Sequence, residues 1–152
     1  DSSPKELLFM INDMISKFSK NFYLSAILAR YFPASKKIVY SYAGHHPMYL
    51  FRDEKIISLP GKGMPLNLVP EIILTENSFQ LKENDKLFLF SDGLFEFWND
   101  EHEIFGLDAF FAEMDKFIQF NGKEFLEKIS NEMFTRSKND IRDDVSMLLL
   151  EI

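Results

Sequence analysis

Apolar and polar positions change period along the chain, and each change marks out an element. Leu7, Ile11, Met14, Ile15 and Phe18 recur at helical spacing and predict an N-terminal helix with one core-facing stripe. Its start is written in Ser3-Pro4-Lys5-Glu6: Ser3 as N-cap, Pro4 at the first helical position, Glu6 closing a capping box. Phe22 to Phe32 is too continuously apolar for a one-sided strand and predicts a central strand covered on both faces. Pro33-Ala34-Ser35-Lys36 then turns the chain into a second strand, Lys37 to Ala43.

Gly44 and Pro47 break that strand, one by its backbone freedom and the other by its missing donor. Met48 to Phe51 and Lys55 to Leu59 read as a hairpin around Arg52-Asp53-Glu54. Pro60 to Pro70, punctuated by Gly61, Gly63 and Pro65, is a loop whose spacing fits neither a P-loop nor a dinucleotide motif. Glu71 to Leu81 predicts another strand. Leu87-Phe88-Leu89-Phe90 is a short apolar run with no polar alternation, as in a strand buried on both faces. Leu107, Phe110, Phe111, Met114 and Phe117 have helical spacing. So do Phe125, Leu126, Ile129 and Met133, after an Asn121-x-x-Glu124 start like a capping box. A last buried strand follows Asp143-Asp144. The expected fold is α+β: an antiparallel β-sandwich flanked by helices, in a single domain over residues 1–152.

Composition narrows the function classes. The chain has 152 residues, 46% hydrophobic and 15% aromatic with 17 phenylalanines, as a packed globular domain requires. A net charge of −7 argues against a nucleic-acid or anionic-membrane surface. With no cysteine there is neither a disulfide framework nor a thiolate metal site. No apolar run reaches the roughly 18 residues of a membrane span, and there is no signal peptide. These features fit a cytoplasmic domain. The sequence begins at Asp1, not at methionine, and reads as a piece of something longer.

The candidate chemistry lies at two strand ends. Asp92, in Ser91-Asp92-Gly93, follows the Leu87–Phe90 strand on a turn that Gly93 permits. Asp-Gly is also common turn chemistry, so Asp92 has a purely structural reading as well. Asp143 and Asp144 stand just before the final strand. If the two strands are antiparallel neighbours, the exit of one lies beside the entrance of the other, and Asp92, Asp143 and Asp144 converge. Three clustered carboxylates repel unless a cation or protons neutralise them, and oxygen-only ligands favour magnesium or manganese. His45 and His46 are adjacent, so in extended chain their rings point to opposite faces and one ion cannot use both. The only other histidine is His102. The expectation for the pair is a structural role at a turn.

These motifs together carry a resemblance. SDG after an apolar strand, and Asp143-Asp144-Val145-Ser146 before a terminal strand, resemble the PPM-type metal-dependent serine/threonine phosphatases, the protein phosphatase 2C fold. Ala43-Gly44-His45-His46-Pro47 is similar to the AGH-x-P of the bacterial SpoIIE/RsbU branch, and Phe105-Gly106 follows SDG as it does there. Order and spacing agree from about residue 1 to 152. Two departures stand out: Pro65-Leu66-Asn67 replaces the PLG motif, and Ser146 stands where threonine is usual. The resemblance implies that Asp92 and Asp143 are catalytic metal ligands, with Asp144 and Gly93 supporting them from behind. It implies two Mn2+ or Mg2+ ions in the complete domain, spaced about 4 Å apart, whose bridging water attacks the phosphate without a protein nucleophile. The substrate implied is a phosphoserine or phosphothreonine protein, in this branch a STAS-domain anti-sigma-factor antagonist of a partner-switching pathway. The branch's earlier ligand motifs, Gly-Asp and Asp-x-x-Gly-His-Gly, do not occur in this chain. The chain therefore reads as the C-terminal two thirds of a catalytic domain, inactive or weak alone. Its uncovered apolar surface could drive homodimerisation. The competing class is a degenerate, non-enzymatic phosphatase fold that grips a regulatory protein. A third is a plain α+β domain whose carboxylates hold a structural cation.

Overall fold

The computed structural model describes residues 2–18, 21–98, 103–138 and 141–152. Among them, in order, are α1 (Pro4–Phe18), β1 (Ala26–Phe32), β2 (Lys37–Ala43), β3 (Tyr49–Arg52), β4 (Lys55–Ser58), β5 (Glu76–Gln80), β6 (Lys86–Phe90), α2 (Gly106–Met114), α3 (Gly122–Arg136) and β7 (Met147–Glu151). The expected α+β class holds, with two antiparallel sheets and helices. Strand order is β1-β2-β5 in one sheet and β4-β3-β6-β7 in the other. The chain divides into two compact units, Asp1–Pro47 with Ser58–Glu83, and Met48–Ile57 with Asn84–Ile152.

In the first unit, α1 starts as its sequence dictates. The Ser3 amide donates to Glu6 Oε2 at 2.8 Å and the Glu6 amide to Ser3 Oγ at 3.3 Å, a reciprocal capping box. Its fully buried residues are Pro4, Leu8 and Asn12, beside the predicted stripe and not within it. Leu7, Ile11 and Ile15 are half-buried, while Met14 and Phe18 are exposed. Spacing alone fixes that a helix has an apolar side; which of two adjacent rows faces inward depends on the sheet it meets. That meeting is a cluster of Leu8, Ala43, Leu66, Ile72 and Leu74, with Ile11, Ile15 and Leu28 packed on it.

The apolar run from Phe22 yields a strand only from Ala26, and the strand is at the sheet edge, not its centre. Phe22, Tyr23 and Leu24 are exposed, as are Ala29 and Phe32. The central strand is β2, paired with β1 from Ala26↔Ala43 to Phe32↔Lys37 and with β5 from Ser41↔Glu76 to Lys37↔Gln80. Its range matches the expectation. The predicted Glu71–Leu81 strand begins only at Glu76; before it, Leu74 makes an isolated bridge to Gly63.

In the second unit, β3 and β4 form the predicted hairpin, with Asp53 and Glu54 at φ 51° and 57°. Two consecutive left-handed residues make the tight turn whose twist suits flanking strands. Strand β6 lies between β3 and β7, paired antiparallel to both. Leu87 and Phe88 point to opposite faces and are both buried, as the unalternating run requires. The phenylalanines concentrate here: Phe51, Phe88, Phe90, Phe95, Phe97, Phe110 and Phe125 share one core with Met114, Ile129 and Met133. Phe125 meets Phe88 edge-on, with centroids 5.0 Å apart and planes at 88°, a favoured quadrupole arrangement.

Helix α2 ends at Met114, short of Phe117, and the chain continues in tight turns such as Phe117 N–H to Met114 O. Asn121 occupies the N-cap of α3 but its side chain makes no cap bond; the Gly122 amide instead donates to Glu151 Oε1 at 2.9 Å. Lys86 reaches from β6 to the carbonyls of Ile118 and Phe120, both at 2.7 Å, and burial pulls its pKa down against the opposing pull of Glu151. Arg52 grips Asp85 with two bonds, Nε to Oδ1 at 2.9 Å and Nη2 to Oδ2 at 2.6 Å, with Asp85 only 2% exposed. Asp85→Ala should lower stability to urea by about 3 kcal/mol, because it removes the buried carboxylate that takes two bonds from a largely buried guanidinium. Adding Arg52→Met should recover part of that loss in the same unfolding measurement.

Candidate metal centre

The site is built on one rung beyond the last pair of the β6–β7 ladder, Phe90↔Met147. There the Ser91 amide donates to Ser146 O at 3.0 Å. Chain direction then puts the exit of β6 beside the entrance of β7, so Asp92 and the Asp143-Asp144 pair lie at one end of one sheet. That is the juxtaposition expected from the sequence.

Asp92 opens a short 3₁₀ turn, Asp92–Leu94, and its carbonyl accepts the amides of Phe95 and Glu96, both at 2.9 Å. The rigid strand and these two bonds fix the backbone, while the carboxylate is exposed. Asp143 is also exposed, and its Oδ1 accepts the Asp144 amide at 2.8 Å. Asp144 enters through its backbone: its carbonyl accepts the Ser91 hydroxyl at 2.8 Å. Gly93 is not among the glycines with positive φ, so its role differs from the turn-permitting one expected. A Cβ on it would stand 2.7 Å from Asp144 O and 3.2 Å from Asp143 O. The glycine is needed for close approach of the two segments, not for its backbone angle.

The expected convergence of three carboxylates is corrected by the side chains. Among the described residues no group of three or more His, Cys, Asp or Glu is arranged to hold a metal ion. The pairing brings the backbones together, while Asp144 faces the strand exit with its carbonyl. Asp92 and Asp143 offer exposed oxygen donors with no soft ligand nearby in sequence, a donor set suited to part of a site for a hard divalent cation. Glu96 is exposed close behind Asp92; Asp140, a further candidate from the sequence, and His102 lie outside the described residues.

The histidine motif sits in the other unit. His45 Nδ1 bonds His46 O at 2.9 Å and His46 Nδ1 bonds Pro47 O at 3.2 Å, which ties both rings to the turn. Gly44 has φ 71°, and a Cβ there would meet Pro65 Cγ at 2.4 Å. Asn67, in place of the glycine of PLG, is itself left-handed at φ 60°. Asparagine is among the few residues other than glycine that adopt this conformation readily, so the departure keeps the turn. Its side chain donates to Phe22 O at 2.7 Å. The sequence does not single out Ser91; a hydroxyl one residue past a strand, before an acidic turn, is the signal that marks it.

The strand orders, the helices and the paired acidic ends define an α+β domain of the kind found in PPM-type phosphatases. Over residues 1–152 the sequence matches the family described as Stage II sporulation protein E, and the chain belongs to this SpoIIE family. No curated protein matches it. Among solved structures, the SiaA-PP2C domain of Pseudomonas aeruginosa is similar at TM-score 0.84 and 14% identity, over 97% of this chain and 59% of that one. The phosphatase domain of the cell fate determinant SpoIIE from Bacillus subtilis, presoaked with manganese, is similar at TM-score 0.70 and 19% identity, over 99% and 67%. RsbX in complex with magnesium is similar at TM-score 0.62 and 12% identity, over 94% and 63%. The chain thus spans between 59% and 67% of these three. Among the described residues, no helix is long and apolar enough to cross a membrane.

Gly93→Ala should cost about 1–3 kcal/mol, as overpacking against fixed backbone does, and be read as a lowered Tm. Ser146 bonds through its backbone, so Ser146→Thr should stay within about 0.5 kcal/mol of the parent in the same melt.

Proposed function

We propose that the protein containing this chain is a metal-dependent phosphatase acting on phosphoserine or phosphothreonine of a protein, with Asp92 and Asp143 as metal ligands. The observation that carries this reading is the antiparallel β6–β7 pairing, which puts both aspartates at one sheet end. Membership of the SpoIIE family supports it. Two divalent ions, Mn2+ or Mg2+, would supply a hydroxide at neutral pH and neutralise phosphoryl charge. This chain's residues have the holding role. Asp92 and Asp143 present anionic oxygens, Gly93 lets their backbones close together, and Asp144 closes the approach with its carbonyl. The substrate class we favour is a STAS-domain protein of a partner-switching pathway, by family analogy alone. The same analogy carries the cytoplasmic setting. A homodimer is proposed on the exposed apolar residues of α1, Met10, Met14 and Phe18.

The competing reading is a regulatory module without catalysis, a degenerate phosphatase fold that grips a protein partner. The two readings part in a phosphate-release assay on a phosphoserine protein. In the longest natural form of the protein, turnover should require manganese or magnesium. Asp92→Asn, which removes one anionic ligand at nearly constant volume, should lower it by at least about 100-fold with the fold retained. Metal-independent turnover, or an Asp92→Asn protein with normal rates at limiting metal, would sink the assignment. The 152-residue chain contains neither earlier ligand motif. Calorimetric titration of it with manganese should show weak binding, because hard ions demand nearly complete oxygen ligation.

A further inference from the structure

We infer that Ser91 is a positioning residue of this centre: its hydroxyl stands in for a backbone carbonyl, so the chain can turn at Asp92 without releasing the Asp143-Asp144 segment. The inference rests on the phosphatase reading for what the centre holds, but on geometry for the clasp itself.

In an antiparallel ladder, residues of a hydrogen-bonded pair exchange both N–H···O bonds. Phe90↔Met147 is the last pair of the register, a non-hydrogen-bonded one, and Ser91 and Ser146 stand one position beyond it, where the alternation calls for an exchange. Half of the next exchange is present: the Ser91 amide donates to Ser146 O at 3.0 Å. The other half would need Ser91 O to accept the Ser146 amide. That carbonyl is engaged elsewhere, accepting the Leu94 amide at 3.3 Å and so opening the 3₁₀ turn that carries Asp92. The Ser146 amide instead donates to Ser91 Oγ at 2.8 Å. The same hydroxyl donates its proton to Asp144 O at 2.8 Å.

One oxygen thus satisfies a strand amide and a loop carbonyl at once, using the donor and acceptor capacity that only a hydroxyl combines at this size. Asp92 is one residue from the clasp on one side. On the other, Asp144 O is held directly, and the Asp144 amide in turn holds Asp143 Oδ1 at 2.8 Å. Gly93 allows the approach by having no Cβ; Ser91 supplies the bonds that maintain it. Alanine at 91 would leave the Ser146 amide to compete for Ser91 O, and the turn at Asp92 would loosen or straighten. Threonine keeps the hydroxyl.

The test uses the 15N-labelled 152-residue chain, with Ser91→Ala, Ser91→Thr and Asp92→Asn variants. Amide hydrogen exchange reads the clasp without any metal. Ser91→Ala should speed exchange at Ser146 and Leu94 by about tenfold or more, leave Phe88 and Leu150 unchanged, and be rescued by Ser91→Thr. Paramagnetic broadening by manganese chloride reads the centre, and it detects weak binding. In the parent, resonances near Asp92 and near Asp143 should broaden over one manganese range. In Ser91→Ala they should require at least tenfold more manganese, and Asp92→Asn should abolish the coincidence. Unchanged Ser146 exchange in Ser91→Ala would overturn the inference, as would uniform acceleration through both strands, which is the mark of a merely structural residue. A parent chain that broadens nowhere near Asp92 or Asp143 counts against the phosphatase reading, while the exchange data still decide the clasp.

Discussion

The ladder between β6 and β7 is the constraint on which the candidate centre depends. Asp92 and Asp143 are about 50 residues apart in sequence, and nothing local holds them together. What does is a register, Lys86↔Glu151 through Phe90↔Met147, and it is pinned from several sides. Phe88 and Phe90 must face the aromatic core, so a slip of one residue would turn both outward. Beyond one end, the Asn84 amide donates to Ile152 O and the Ile152 amide to Asp85 O. At the other end the Ser91–Ser146 contacts close it. The sheet end that carries Asp92 is thus positioned by apolar packing several residues away.

The second unit invests its phenylalanines in that packing. Phe51 from β3, Phe88 and Phe90 from β6, Phe110 from α2 and Phe125 from α3 interlock at ring distances of 4.8 to 5.9 Å. Large flat rings have few rotatable bonds, so their burial specifies orientation as well as stability. Lys86 adds a polar tie from the same strand to the turns after α2, and Arg52 with Asp85 another from β3. A carboxylate site on this strand end therefore rests on a stiff support, as ion ligation requires.

Much of this was legible in the sequence, where local chemistry decides. The capping box of α1, the range of β2, the β3–β4 hairpin and the burial of β6 follow from short-range rules, and the structure agrees with them. What was misread depends on neighbours. The run from Phe22 specifies apolar chain, but whether a strand is central or at an edge is set by what pairs with it, and β2 took the centre. The stripe on α1 is only partly the core face: Ile11 and Ile15 pack on the cluster, but Leu8 is the apolar residue fully buried there while Met14 and Phe18 are exposed, a choice that only the sheet makes. In the site, the aspartates were found because Asp-Gly and Asp-Asp at strand ends are conspicuous. Ser91 was not, because its importance lies in which carbonyl it replaces, and that is a property of the pairing.

The low identities sharpen what must be argued from residues. A TM-score of 0.84 at 14% identity means that the path of the chain survives replacement of most side chains. Packing tolerates this, since a core accepts many apolar combinations of similar volume. Chemistry does not: an ion needs oxygen at set positions, and a close backbone approach needs the absence of a Cβ. Similar fold is therefore weak support for similar chemistry, and the weight falls on a few positions. Gly93, whose Cβ would strike Asp144 O, and Ser91, whose hydroxyl bridges two groups of the facing segment, have no explanation in core packing. They bring the exposed chain ends on either side of the ladder together. Like-charged aspartates at one sheet end repel, and the cation proposed above is what would offset that repulsion.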